Sequence, residues 1–524
     1  MLATIPGGLK KHRRHAARPT PAVRRERDSL GVKAVPAHAL YGVFTQRARE
    51  TFALSGHLPH PALIRAYARI KQAAARVNAR LGLLPERWAA AIAWAADRVI
   101  EDGVPDARVL DIFQAGAGTP MHMNVNEVLA NLANERLGGR RGQYAPLHPN
   151  NHVNLGQSSN DVTPTAIRLM ALELERPLRH ELTALERSFR RLAAHADTVV
   201  KPGRTHLQDA VPITFGQVFT GYAQAIHDAA AALDVAADEL RVLGLGGTAV
   251  GTGLTAHPRF AMLMARELSR LVGERLRPAP STVATTWSLR PFLACSGALR
   301  GIAVDVGKMC FDLRLLASGP HTGLAEIELP EVEPGSSIMP GKVNPSVPEA
   351  VQMVTFQVRG NDAALALAAA AGELELNVMT PLVAFDLAES FELLTRGVRL
   401  LRERCVDGLR VNRTRVQRLV GQSLIEATAL SPYLGYEVVA QLVKEALASD
   451  RPLRTVVADR GLVDAPTLAR LLAPAALTAP RARDAALARR IQATPAFRVF
   501  RETMEPPPPK KRPRPEPAGV HTSA

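Results

Sequence analysis

The sequence predicts a large all-α protein built on long bundled helices, and three observations carry that expectation. Apolar side chains recur at heptad spacing through stretches that no proline interrupts. Glycine clusters, rather than alternating strand patterns, separate those stretches, and 47% apolar against 22% charged residues is the balance of a globular chain. At 524 residues the chain can bury a large core and would ordinarily divide into several domains.

From the N-terminus, residues 1–28 contain KKHRRHAARPTPAVRRER, show no apolar periodicity and read as a disordered, solvated basic arm. The arm lacks the apolar segment of a secretory signal, and its prolines and missing amphipathic face argue against an organellar transit peptide. Leu182, Leu185, Phe189 and Leu192 form a first apolar stripe. Between Gln217 and Leu243, Phe219, Ile226, Leu233 and Leu240 recur every seven residues, the pattern of a long helix packed along others. Helical patterning continues through 290–318 and 346–371, and glycine clusters at 115–118, 244–253 and 335–341 mark loops. The end, 505–524, is Pro-rich and basic and reads as a disordered tail whose PKKRPRP run is of a kind common in such segments.

Composition excludes several function classes. Of the formal net charge of +16, +6 falls on residues 1–28 and +2 on 505–524, leaving +8 on the body, a field that draws in anionic substrates. The apolar run AALALAAAA at 363–371 falls short of the roughly 18 residues a membrane span needs, so no membrane partner is expected. Cys295, Cys310 and Cys405 are odd in number, far apart and not at metal-ligand spacing, which points away from disulfides and zinc and fits a reducing cytoplasm. With no Walker loop and no Rossmann fingerprint, neither a metal nor an organic cofactor is expected.

The most informative stretch is GSSIMPGKVNPS at 335–346. Gly335 and Gly341 are expected to allow positive φ on either side of Ser336 and Ser337, letting the backbone turn and bring amides close to an anion. Pro340 and Pro345 stiffen the ends. Lys342 offers a fixed charge and Asn344 a neutral donor two residues on, a pairing suited to holding a carboxylate beside a working hydroxyl.

This string resembles the signature of the fumarase/aspartase superfamily, homotetrameric enzymes that eliminate water or an amine from succinyl compounds to give fumarate. GQSSNDVTPTA at 156–166 and GRTHLQDAVPITFGQ at 203–217 are similar to two further active-site segments of that family, in the same order. The resemblance implies three domains: an N-terminal domain at 29–158, a central domain at 159–414 and a small helical C-terminal domain at 415–504. It implies that the central domain's long five-helix bundle assembles into a twenty-helix tetramer core, with each active site shared by three subunits.

It also implies roles. Ser336 is the base that removes a proton from the carbon beside a carboxylate, and Lys342 and Asn344 hold the carboxylate whose charge then grows. A serine alkoxide needs donors and a nearby cation, which the turning amides and Lys342 would supply. Thr119 with Ser158, Ser159 and Asn160 would fix the other carboxylate and the leaving group. Thr205 and His206 match a Thr-His pair of the same site, and Glu349 matches the acidic residue that orients the histidine. HPNNHVN at 148–154 resembles a secondary anion-binding stretch, but Asn151 replaces its acidic residue and the stretch is not counted. His122 stands where asparagine is common, near Thr119, a difference that bears on leaving-group recognition.

Both leaving groups occur in the family. GAGT at 116–119, VPEAVQ at 347–352, AGELELNVMTP at 371–381 and residues 34–52 resemble the aspartase branch, whereas SSND at 158–161 and GGTAVGTGL at 246–254 resemble fumarases as much. The expectation is therefore ammonia release from L-aspartate, with a fumarate hydratase releasing water from L-malate as the alternative. An inactive structural or nucleic-acid-associated homologue, bound through its basic ends, is the reading from another class; the presence of Ser336, Lys342 and His206 argues against it.

Overall fold

The computed structural model describes residues 22–504; residues 1–21 and 505–524, with most of the expected basic arm and the whole Pro-rich tail, lie outside them. The described chain opens with a hairpin, strand β1 (Val23–Asp28) antiparallel to β2 (Gly31–Pro36). This corrects the reading of 22–28 as part of a solvated arm. The charges there are fixed by partners: Arg24 donates to the carbonyls of Pro36 (2.9 Å), Ala39 (2.7 Å) and Tyr41 (2.6 Å). Glu26 is buried and accepts from Arg24 Nε (2.7 Å), Val43 N (2.9 Å) and Tyr144 Oη (2.9 Å).

Helices dominate thereafter. α1 (Val43–Thr51), α2 (Pro61–Arg80), α3 (Glu86–Asp102) and α4 (Thr119–Arg136) pack through small side chains, α2 against α3 and α3 against α4. Their apposed faces are rich in fully buried alanines such as Ala68, Ala73, Ala95 and Ala96, which let the helix axes approach closely. α5 (Ser159–His195) runs for 37 residues. A second hairpin, β3 (Val200–Thr205) with β4 (Gln208–Thr214), precedes α6 (Phe215–Leu240). A short parallel pair, β5 (Val242–Leu243) with β6 (Arg277–Pro278), brackets α7 (Phe260–Val272). After α8 (Thr282–Trp287) come α9 (Arg290–Leu316), α10 (Ser346–Ala370) and α11 (Thr380–Arg404), with β7 (Ile327–Glu328) pairing antiparallel to β8 (Arg410–Val411). Short helices from Arg413 to Met504 follow, several capped by side-chain acceptors: Asn412, Asp464 and Asp484 take the amides of Arg415, Thr467 and Leu487 at 3.0, 2.8 and 2.8 Å.

The chain divides into two compact units, residues up to 183 with 228–307 and 350–399, and residues 184–227 with 308–349 and 400 onward. α5, α6, α9, α10 and α11 each supply residues to both. In the first unit, Leu233 and Leu240 of α6 are fully buried, as are Ile302 and Val306 of α9 and Val383 of α11. In the second, Phe189, Phe215, Phe219 and Tyr222 form an aromatic cluster with Phe215–Phe219 and Phe189–Tyr222 centroids 5.5 and 5.4 Å apart. The C-terminal helices of that unit close a separate core around Leu430, Leu442, Val457 and Phe497.

The heptad stripe expected on α6 is fully buried at all four positions, and α5 buries Leu182, Leu185 and Phe189. Leu192 is half-exposed because α5 ends three residues later, and Ala193 and Ala196 take the inward positions. The three cysteines are buried free thiols, and burial pushes Cys295 and Cys405 up to about 12. Among the described residues no helix is long and apolar enough to cross a membrane. Replacing Leu233, which is 0% exposed, with alanine is expected to cost about 2–5 kcal/mol, read as a lower denaturant midpoint at unchanged slope. A loss under about 1 kcal/mol would contradict its place in the core.

Candidate active site

The first group of expected residues gathers where α4 and α5 begin, within the first unit. Ser158 caps α5: its Oγ accepts from Asn160 N (3.3 Å), while Asp161, three residues on, accepts from Ser158 N (3.0 Å), a capping box. Asp161 is buried, and its second oxygen accepts from Gly246 N (2.9 Å) and Thr248 N (3.0 Å), tying the glycine-rich loop to the helix start. Burial pushes the Asp161 carboxyl up, and those three amides oppose the shift. Asn160 donates Nδ2 to Ala249 O (2.7 Å). Since a carbonyl only accepts, this contact orients the amide and leaves its oxygen and its second N–H available to a ligand.

Thr119 is the first residue of α4, behind Ala117 and Gly118 at φ +59° and +68°. A Cβ on Gly118 would lie 2.8 Å from Thr163 Cγ2 of α5, so the glycine allows the two helix starts to touch. Thr119 also borders a cavity of about 660 Å³ with Arg47, Met123, His148 and Asn150. The His148 ring in that wall is occupied as a cap, accepting from Asn150 N (3.1 Å).

His122, one turn into α4, is fully buried. Its Nδ1 lies 2.8 Å from Ser159 Oγ and its Nε2 2.5 Å from Lys71 Nζ. Lys71 and Asp161 were missed by sequence reasoning. The signal for Lys71 was a lone lysine among the alanines of IKQAAARV, and for Asp161 the S-x-x-D spacing of SSND.

The second group lies in the second unit. Thr205 and His206 stand exposed at the tip of the β3–β4 hairpin, where His206 and Leu207 fill a two-residue turn at φ +54° and +60°. Such turns favour Asn-Gly, and a non-glycine residue in the left-handed region costs on the order of 1–2 kcal/mol, so the tip holds strain at His206 and Leu207. The hairpin base is fixed by Glu326, which is 0% exposed and lies 2.7 Å from Arg204 and 3.1 Å from Lys201. Burial pulls the Lys201 ammonium down from its ordinary range, and Glu326 opposes it.

The 335–346 loop is folded back on itself. Gly335 N donates to Lys342 O (2.9 Å) and Asn344 Nδ2 to Gly335 O (2.6 Å), closing its neck. Gly341 sits at φ +78° as expected. Gly335 does not have positive φ: it is required because a Cβ there would lie 2.1 Å from the Lys342 carbonyl oxygen. Ser336 Oγ accepts from Ile338 N (3.2 Å) and Met339 N (3.1 Å), so two amides already converge on the expected base. Lys342 is exposed, and Glu349, in the first turn of α10, pairs with Arg314 at 3.3 Å. Among the described residues, no hydrogen bond within the chain joins His206 to Ser336 or Glu349. Also among them, no group of three or more His, Cys, Asp or Glu side chains is placed to hold a metal ion.

These motifs lie inside the spans that match known families. Residues 31–360 match a lyase family and residues 427–479 a fumarase C C-terminal family. An aspartate ammonia-lyase of Pseudomonas fluorescens is 47% identical over 87% of this chain and 96% of its own length. A class II fumarate hydratase of Ralstonia nicotianae is 45% identical over 84% and 96%. The crystal structure of a fumarate lyase:delta crystallin from Brucella melitensis superposes with a TM-score of 0.85 at 44% identity, covering 88% of this chain and all of that one.

Removing the carboxylate at the hairpin base takes the ion-pair partner from Arg204 and Lys201. Glu326→Ala is expected to cost about 3–5 kcal/mol, measured by denaturant unfolding. A variant as stable as the parent would show that the ion pairs do not hold the hairpin.

Proposed function

Because the chain belongs to the fumarate lyase superfamily, as a lyase of the class II fumarase/aspartase kind, we propose that it releases ammonia from L-aspartate to give fumarate. The observation that carries the choice of leaving group is the orientation of Asn160. Nδ2 gives one hydrogen to Ala249 O, which fixes the amide so that its carbonyl oxygen, an acceptor that suits an ammonium group, is held in one orientation beside the remaining N–H. Relatives of the aspartase kind at 47% and 46% identity agree with this choice.

Elimination then proceeds from the parts described. Ser336 Oγ takes the proton from the carbon beside one carboxylate, and the amides of Ile338 and Met339 stabilise the alkoxide required for that step. Negative charge moves onto the carboxylate as the dianionic intermediate forms, and Lys342 and Asn344 bind it more tightly as it grows. Thr119, Ser158 and Ser159 hold the second carboxylate, while Asn160, Thr205 and His206 surround the amine, which leaves as a neutral group without needing an acid. Release of water from L-malate is the second reading, favoured by fumarases at 45% and 46% identity and by an exposed imidazole at His206, a residue type suited to meeting a departing hydroxyl.

We place these groups in one site by assembly of a homotetramer. α9 exposes Val304 and Phe311 seven residues apart, and α10 exposes Met353, Phe356 and Leu367, apolar seams at the spacing that buries helix against helix. In the tetramer, Glu349 of one chain would orient His206 of another.

The test is to incubate the protein with L-aspartate and separately with L-malate, following fumarate absorbance. Fumarate from aspartate is expected; fumarate from malate alone would overturn the leaving group, and none from either would overturn the reading. Ser336→Ala is expected to cut turnover by about 10²–10⁴-fold with the oligomer intact. Near-parental turnover would refute its role as base.

A further inference from the structure

Lys71, on α2, is fully buried, and its Nζ has three neighbours: Asn154 Oδ1 at 2.9 Å, Gln157 Oε1 at 2.8 Å and His122 Nε2 at 2.5 Å. Both amides are oriented independently, because Asn154 donates Nδ2 to Gln157 O (3.2 Å) and Gln157 donates Nε2 to Val153 O and Leu155 O (3.2 Å each). Their oxygens therefore face the lysine. An ammonium has three hydrogens to give and finds three acceptors, provided that His122 Nε2 carries no proton. That condition fixes the imidazole as the tautomer protonated at Nδ1, and Nδ1–H donates to Ser159 Oγ at 2.8 Å. With its oxygen already accepting from His122, the Ser159 hydroxyl keeps its own hydrogen to give.

We propose that Lys71 and His122 form a buried polarity relay that fixes Ser159 as a hydrogen-bond donor toward the substrate's second carboxylate. Both act through Ser159 and are positioning residues, and the inference rests on the reading of Ser159 as a carboxylate ligand. Two features of the surroundings support the relay. The Tyr67 ring stacks on the imidazole at 5.9 Å and 13°, holding its plane, and is itself anchored by Tyr67 Oη donating to Thr163 Oγ1 (2.9 Å). Burial holds His122 well below its ordinary range, with Lys71 adding to the effect, so the ring stays neutral and its tautomer is set by its two partners. Burial pulls Lys71 well below its ordinary range, and the Asp161 carboxylate and the two amide oxygens at 2.8 and 2.9 Å are what oppose that pull.

The relay makes a division of labour at adjacent residues. Ser159 gives a hydrogen and so meets an anion, while the oriented amide of Asn160 has an oxygen to meet a cation. A lysine held neutral would reverse the first assignment: His122 Nε2–H would then donate to Nζ, Nδ1 would accept from Ser159, and the serine would present lone pairs to the ligand.

The test uses the dissociation constant of succinate, a dicarboxylate without a leaving group, measured calorimetrically on the intact protein. His122→Asn keeps one acceptor for Lys71 and one donor for Ser159, and is expected to bind within about threefold of the parent. His122→Leu and Ser159→Ala are each expected to weaken binding roughly tenfold or more, and combining them to add nothing beyond Ser159→Ala alone. Additive losses would overturn the relay, since an imidazole that only fills space would act equally with or without the serine hydroxyl. If His122→Leu does not fold, His122→Asn decides: a folded variant with tenfold weaker binding overturns the proposal. Should the parent itself fail to bind succinate, the dicarboxylate reading falls with it, whereas intact parental binding with additive variants removes the relay alone.

Discussion

Asp161 sits buried at the head of the longest helix, and its two oxygens receive three backbone amides from two separate segments. A carboxylate in that position cannot be left unpaired without a cost of several kcal/mol, so the helix start and the glycine-rich loop must arrive together. Ser158, Ser159 and Asn160 are carried on the turn that this junction creates. The loop in turn supplies the carbonyl of Ala249 that orients Asn160, and Asp161 acts electrostatically on Lys71 beneath. The placement of three successive residues therefore traces back to one capping interaction.

The second unit solves a different problem. Its chemical groups are on a hairpin tip and a loop, elements with little apolar burial of their own. Each is held at its base instead. Glu326 pins the hairpin through two cations, and the Gly335–Lys342 and Asn344–Gly335 hydrogen bonds close the loop neck. The tips remain exposed, His206 in a left-handed turn and Lys342 in solvent, which suits groups whose partners come from a second chain.

The sequence made the helices legible because burial on one face imposes a period, and Phe219, Ile226, Leu233 and Leu240 follow it without a break. The hairpins were hidden for physical reasons. In β1, charged side chains occupy strand positions because Arg24 and Glu26 are consumed by backbone and buried partners. In β3 and β4, Pro202 faces Pro212 across the pair, removing donors that a strand pattern normally implies. The GSSIMPGKVNPS loop was legible as chemistry, yet the reason for Gly335 was not: close backbone approach, unlike positive φ, depends on the carbonyl of Lys342 at the other side of the loop neck and shows only in three dimensions. Lys71 lay on a helix face whose alanines announced burial, but its acceptors come from α4 and from the loop before α5, which no local pattern connects to it.

One chain thus carries two sets of groups, and the central claim is that different chains combine them into each working site. Mixing two inactive variants, Asn160→Ala and Ser336→Ala, and allowing subunits to exchange is the most direct measurement of that claim. If the two residues meet only across chains, random mixed assemblies regain sites with both side chains intact and roughly a quarter of parental turnover returns. If both residues of a site come from the same chain, every site in every mixed assembly stays defective and no turnover returns, which would contradict the account.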